Sequence, residues 1–190
     1  MNSFKKINAL LTVNGKSIQF GSWDTYRIIG DYLEVPGGTE ILSELAHSAY
    51  NEIRLKVSYY NGLSLEAIEF LLDDPVEKVV YETVTAQNGE RLLLLNQQQI
   101  LKLISRSPKI AHALARYVNK LMENTQIDRI EIVSAISRHP DPCVRHTLAE
   151  NRSTPKELLE KLVTDSDMDV AQTAQNTLNT FQSEVTYEQL

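Results

Sequence analysis

Ile136–Leu162 reads ISRHPDPCVRHTLAENRSTPKELLEKL, and this stretch decides the fold. An apolar residue runs into a proline-broken turn, then Val144-Arg145, Leu148-Ala149 and Asn151, and Thr154-Pro155 opens a second apolar run. A similar phrase stands about 30 residues upstream, Ile104-Ser105-Arg106-Ser107-Pro108 followed by Ile110–Ala115. Matching the two sets Ile110 on Val144, Ala111 on Arg145, His112 on His146, Leu114 on Leu148 and Ala115 on Ala149. Self-similarity at such a spacing marks a stack of helical repeats. Stacks of this kind work by presenting a surface more than by carrying out chemistry.

The repeat extends in both directions. Branched residues opening the second helix of each copy are Ile53, Val79, Ile110, Val144 and Val170, with steps of 26 residues from 53 to 79 and from 144 to 170. Eight residues before these markers stand Leu45, Leu71, Ile136 and Leu162. The copy around Ile110 departs, with Lys102 in that place and Leu103 one residue later, and a shortened turn would account for the slip.

Local punctuation fits helices. Thr154-Pro155-Lys156-Glu157 reads as an N-cap, a proline at the first helical position and a capping-box glutamate, ahead of Leu158, Leu159, Leu162 and Val163. Asp141-Pro142 and Asp74-Pro75 repeat the cap-plus-proline device, and Ser64 and Asp128 are expected caps. Asn61-Gly62 and Asn88-Gly89 are expected helix stops, since such residues enter the left-handed conformation cheaply.

On these residues, Thr125–Leu178 resembles the leucine-rich repeat variant, a two-helix relative of the HEAT and armadillo repeats. The shared pattern is Asp141-Pro142, Val144-Arg145, Leu148-Ala149-Glu150-Asn151, Thr154-Pro155 and Leu158-Leu159, and it weakens toward Thr39. Some members of that family carry an iron-sulfur cluster on a cysteine-rich segment. With Cys143 as its one cysteine, this chain does not inherit that cluster, and no cofactor is expected. The resemblance implies a mainly α, right-handed α-solenoid of about five helix pairs with a binding role.

Length and composition agree: 190 residues with 42% apolar content suit one globular domain with a sizeable core. A single cysteine leaves no intramolecular disulfide. Ile7–Val13 is too short and polar for a secretory signal, and no stretch is long enough to span a membrane, so a cytoplasmic protein is expected. Residues 1–38 fall outside the repeat. Leu10–Val13, Asn14-Gly15 and Lys16–Phe20 predict a β-hairpin with a type I′ turn. Asp24 is expected to cap a short helix through Leu33, with Tyr26, Ile28, Ile29 and Tyr32 as its apolar contacts, before a turn at Pro36-Gly37-Gly38. The expected organisation is an N-terminal cap over 1–38 packed on the repeats, an α-helical repeat domain over 39–181 and a loose tail over 182–190.

Charge is uneven. Six basic residues and no acid lie between Arg91 and Met122, whereas Glu150 to the end holds eight acids and three bases. Since equivalent positions of stacked repeats form lines, Arg106 should neighbour Arg138. The candidate partner face is Arg106, Lys109, His112, Arg116, Arg138, Arg145 and His146. The bland alternative is a solvated face whose arginines pair with turn carboxylates of the next copy. The cluster His139, Asp141, Cys143 and His146 invites a zinc or thiolate reading. Yet Val144 and Leu148 must face the core, Asp141 is a cap, and His139 stands where other copies have Asp74 or Asp165. Structural roles explain these residues better, so no catalytic or metal site is assigned. Tyr59-Tyr60 is expected to cover a seam between repeats, and Leu92–Leu95 to be a buried link.

The function expected is non-enzymatic recognition of a macromolecule, a protein first of all, by an adaptor, scaffold or inhibitor. One version is a bacterial immunity or antitoxin-type inhibitor of a basic toxin. The other class is nucleic-acid binding through the basic 91–145 face, against which the net charge of −6 speaks. No small-molecule substrate and no membrane are implied.

Overall fold

The structure, a computed structural model, describes residues 4–6, 8–31 and 38–187. It is mainly helical, with one two-stranded sheet among the described residues. Contacts divide the chain into two compact units, Met1–Gln87 and Asn88–Leu190.

In the first unit, strands β1 (Ala9–Val13) and β2 (Lys16–Phe20) pair antiparallel with Val13 opposite Lys16. Asn14 and Gly15 both take positive φ, 50° and 76°, which is the type I′ turn the Asn-Gly pair predicts. Helix α1 (Ser22–Asp31) follows, with Asp24 inside its first turn instead of at the cap. Of the apolar contacts expected of this helix, Tyr26 meets Trp23 and Tyr60 edge-on, while Tyr32, Leu33 and the Pro36-Gly37 turn lie outside the described residues. Helices α2 (Gly38–Leu45), α3 (Asn51–Val57), α4 (Leu65–Leu72) and α5 (Glu77–Thr85) complete the unit. The first helices of the two pairs pack together, α2 on α4, and so do the second, α3 on α5. Helix α1 packs on α2 and α3 and also meets β2, whose side chains are largely exposed.

The second unit begins with 3-10 turns that run on from Ala86 to Leu94. Asn88 and Gly89 are left-handed as expected, and a Cβ on Gly89 would stand 2.8 Å from the Tyr117 ring. Helices α6 (Gln97–Arg106), α7 (Pro108–Arg116), α8 (Val118–Glu123), α9 (Arg129–Ser137), α10 (Pro142–Glu150), α11 (Lys156–Leu162) and α12 (Met168–Tyr187) follow. Again there are two layers: α6, α9 and α11 pack in order, and so do α7, α10 and α12. Helix α12 continues to Tyr187, so the segment expected as a loose tail is helical up to that residue.

The period fixes the core. Ile53, Val79, Ile110, Val144 and Val170 are each the third residue of a second helix, and all are fully buried. Each contributes roughly 1.5–3 kcal/mol by leaving water. Leu45, Leu71, Ile136 and Leu162 are buried eight residues earlier. In the deviant copy Lys102 is exposed and Leu103 buried, because Ser107 alone separates α6 from α7. Residues 46–50, 73–76, 138–141 and 163–167 fill the corresponding turns.

Several local expectations change. Ser64, Asp128 and Asp141 accept from backbone N–H groups of their helices as caps should. Thr154 does not: it is buried and donates back to the Leu148 carbonyl at 2.7 Å, leaving α11 with no side-chain cap. Asp74 likewise leaves α5 uncapped, being held by Arg54. Tyr59 is half exposed, with its hydroxyl hydrogen-bonded to Glu82 of α5 in the next helix pair, while Leu92 and Leu95 are buried and Leu94 is exposed.

Candidate functional site

Two sets of polar side chains hold the repeats together, and they must be set apart before a binding face can be seen. The first is an arginine–aspartate clamp. Arg145, one residue after its marker, donates from Nε and Nη2 to the two carboxylate oxygens of Asp165, both at 2.8 Å. Its Nη1 donates to the carbonyls of His139 (2.8 Å) and Pro140 (3.1 Å). Arg54 repeats this in the first unit, with a bidentate grip on Asp74 and Nη1 on the Ser48 carbonyl at 2.8 Å. Arg54 and Asp74 are almost wholly buried, at 3% and 0% side-chain exposure, and the second pair is at 11% and 8%. Hydrogen bonding to Arg145 holds the Asp165 carboxyl below its ordinary value, and the same bond raises Arg145.

The turn residues form a series of their own. Five positions before the marker, the side chains of Ser48, Asp74, His139 and Asp165 each accept from the N–H two residues on. His139 therefore replaces an aspartate as a turn staple, with Nδ1 accepting from Asp141 N–H at 3.1 Å, which assigns the ring proton to Nε2.

The second set is a pair of asparagines. Asn124 Nδ2 donates to the carbonyls of Leu92 (2.7 Å) and Leu95 (2.9 Å), and its Oδ1 accepts from Gln126 N–H. Asn151 does the same toward Ala115 and Arg116, with Oδ1 taking Ser153 N–H. Each donates to carbonyls at the end of the upstream segment, that of Leu92 also accepting from Leu95 N–H at 3.4 Å.

What remains is the outer face of α7, α10 and the start of α12. His112, Pro142, Cys143, His146, Thr147, Asp167 and Asp169 line an open cleft of about 240 Å³. His112, Arg116, Thr147, Glu150 and Asn151 line a second of about 270 Å³ that shares His112 and Thr147 with the first. His146 Nε2 lies 3.0 Å from Thr173 Oγ1 of α12, which fixes that ring against the cleft wall. His112 is held below its usual value of 6.5, mainly by burial and then by Arg116, with Asp141 opposing.

Of the seven residues expected on the partner face, His112, Arg116 and His146 come together here. Arg145 is taken up by the Asp165 clamp, the role the bland reading gave it, because its side chain lies along the turn and not over the groove. Arg106 ends α6, half-buried, Arg138 is the exposed C-cap of α9, and Lys109 is exposed on α7; none lines either cleft. The face is not a basic stripe, since Glu150, Asp167 and Asp169 share it. The sequence reading did not place Thr147, Glu150, Asp167 or Asp169 on this face. For the first two, the spacing from Cys143, four and seven residues on one helix, was the available signal. Among the described residues no group of three or more His, Cys, Asp or Glu is placed to hold a metal ion. Cys143 is exposed and unpaired with another cysteine.

No family model and no curated protein matches the chain. Among solved structures, the crystal structure of an engineered protein, a structural-genomics target, aligns with 83% of this chain and 67% of its own at 18% identity, with a TM-score of 0.33. Among the described residues no helix is long and apolar enough to cross a membrane.

Proposed function

We propose that the chain is a non-enzymatic recognition protein of the leucine-rich-repeat-variant or HEAT-armadillo kind, cytoplasmic, with about five helix pairs winding as a right-handed α-solenoid. The layering of first helices on first and second on second inside each unit supports the repeat assignment. One observation carries the functional reading. The side chains that line the clefts of α7, α10 and α12 are largely distinct from those that clamp the repeats, with Asn151 alone in both sets. They form an open, polar and mixed-charge face, the composition of a protein-binding rim more than of a substrate pocket. Its partner is a protein. The carboxylates of Glu150, Asp167 and Asp169 favour basic groups on that partner, which is the form an inhibitor of a basic toxin would meet, and they disfavour a phosphate backbone.

A photo-crosslinking residue placed at Thr147, compared with one at exposed Lys156 on α11, tests this in lysate of the source organism. A single protein crosslinked from position 147 and not from 156, and lost with Glu150→Lys/Asp169→Lys, is the expected result. Crosslinked nucleic acid, removed by nuclease or salt, would replace the protein partner with the basic-face alternative. No crosslink from position 147 would remove the groove from consideration.

A further inference from the structure

The first unit contains a second recognition feature, far simpler than the groove. Residues Phe4–Lys6 lie against the turn between α2 and α3 as a one-residue parallel bridge. Lys5 N–H donates to the His47 carbonyl at 2.8 Å, and Ala49 N–H donates to the Lys5 carbonyl at 2.8 Å. Phe4 sits on the far side of the Arg54 guanidinium, 4.1 Å from ring centroid to Cζ. It also meets the Phe70 ring edge-on at 5.6 Å, and Phe70 in turn packs on the His47 ring at 4.3 Å. The Lys5 and Lys6 side chains are exposed, and Phe4 keeps 38% exposure.

What holds this segment is generic: two main-chain hydrogen bonds and one aromatic ring, set over Arg54 and edge-on to Phe70. That is the logic of strand addition to a free edge, where the backbone gives affinity and a side-chain slot gives selectivity. The slot is prepared independently of Phe4. Asp74 and the Ser48 carbonyl fix the plane of the Arg54 guanidinium, so its face is presented to a ring without further ordering. The internal repeats supply a control. Arg145 makes the same clamp, but there Pro140 occupies the place of Ala49 and has no N–H to give. Pro75 stands at that place in the turn before α5. Of the two turns with an arginine six residues beyond the staple, only that of the first unit can accept a strand.

We propose that the His47–Ala49 turn, with Arg54 and Phe70 beside it, is a docking site for an extended peptide bearing an aromatic residue, and that Phe4–Lys6 occupies it in cis. The ligand class is an aromatic side chain followed by one residue whose N–H and C=O are both free. Only two residues separate Lys6 from β1, so the tether keeps Phe4 at an effective concentration on the order of millimolar. A free peptide at micromolar concentration cannot compete until the aromatic anchor is removed.

The test is fluorescence anisotropy with a labelled synthetic peptide of residues 3–8 (SFKKIN), titrated with the full-length chain. The expected result is at least tenfold tighter binding to the Phe4→Ala chain than to the intact one. Binding to Phe4→Ala/Ala49→Pro should be lost; proline already stands at the equivalent positions 75 and 140, and far-UV circular dichroism verifies folding. Phe4→Ala/Phe70→Ala should weaken binding independently. Equal binding to the intact and Phe4→Ala chains overturns the proposal, as does binding that survives Ala49→Pro. A concentration-dependent dimer of the intact chain, abolished by Phe4→Ala, would seat the segment in a second copy and overturn occupancy in cis.

Discussion

Replacing Arg54 by methionine isolates the energetics of the buried clamp. The Asp74 carboxylate has no exposed surface, and Arg54 is its bidentate, charge-bearing partner, with the Val76 N–H donating beside it. A buried pair broken on one side costs about 3–5 kcal/mol, because the surviving charge is left uncompensated, whereas removing both charges together is often nearly neutral. Arg54→Met should therefore destabilise the first unit by about 3–5 kcal/mol at neutral pH, and Arg54→Met/Asp74→Leu should recover most of that. Urea unfolding followed by the fluorescence of Trp23, the one tryptophan, reads this unit. Arg145→Met provides the matched control: the same geometry, but 11% and 8% exposed, so the cost should be lower. A loss below about 1 kcal/mol for Arg54→Met, or a double variant no more stable than the single one, would refute the reasoning.

Asn124→Ala removes the Nδ2 donor from two buried carbonyls, that of Leu92 keeping only the Leu95 N–H at 3.4 Å, and should cost about 1–3 kcal/mol in urea unfolding, while Asn151→Ala, half-buried and open to replacement water, should cost about 1 kcal/mol. Asp165 has a depressed folded pKa, so its contribution to stability is complete above its unfolded value near 3.8 and is lost as pH falls through the folded one; Arg145→Met should flatten the stability-versus-pH curve over that acid range. His112 is also depressed, which makes its neutral form the stabilised one: stability is highest above pH 6.5 and declines as pH falls through the folded value. Arg116→Gln should raise the His112 value measured by NMR titration, and no upward movement would show that the arginine charge does not reach the ring.

Much of the fold was legible because the period constrains apolar residues that have no alternative role. The five markers needed only to be branched, spaced and preceded by a turn, and each proved to be the third residue of a buried second helix. The Asn-Gly hairpin was equally readable, since few residue pairs accept two positive φ angles. Caps were less secure. Thr154 and Asp74 satisfy the cap pattern in sequence, yet both turn to long-range partners, because a hydrogen bond to a neighbouring segment competes directly with one to the local N–H groups. The site was only half legible for a related reason. Arg145 reads as surface charge until Asp165, 20 residues on, is placed beside it. The acids that line the clefts come from α10 and from the residues flanking the start of α12, so the groove's mixed charge emerges only when the helices are packed.

The proposed recognition role requires positions in each copy that packing leaves open. Counting from each marker in the second unit, the marker itself is committed to the core, and at Val144 and Val170 the residue five before it is committed to a turn staple. The positions one before and six after the marker are not, and they differ in every copy: Lys109, Cys143 and Asp169; Arg116, Glu150 and Asn176; two after the marker stand His112, His146 and Gln172. Positions that packing does not fix are those in which a recognition surface can vary without unfolding the stack. Exchanging Arg116 and Glu150 therefore discriminates the two roles sharply. The exchange conserves net charge and touches neither clamp nor staple, so the unfolding free energy should stay within about 0.5 kcal/mol of the parent while the crosslink from Thr147 is lost. A variant that unfolds instead would assign these side chains to the scaffold, and one that keeps its crosslink would place the partner's contacts elsewhere on the chain.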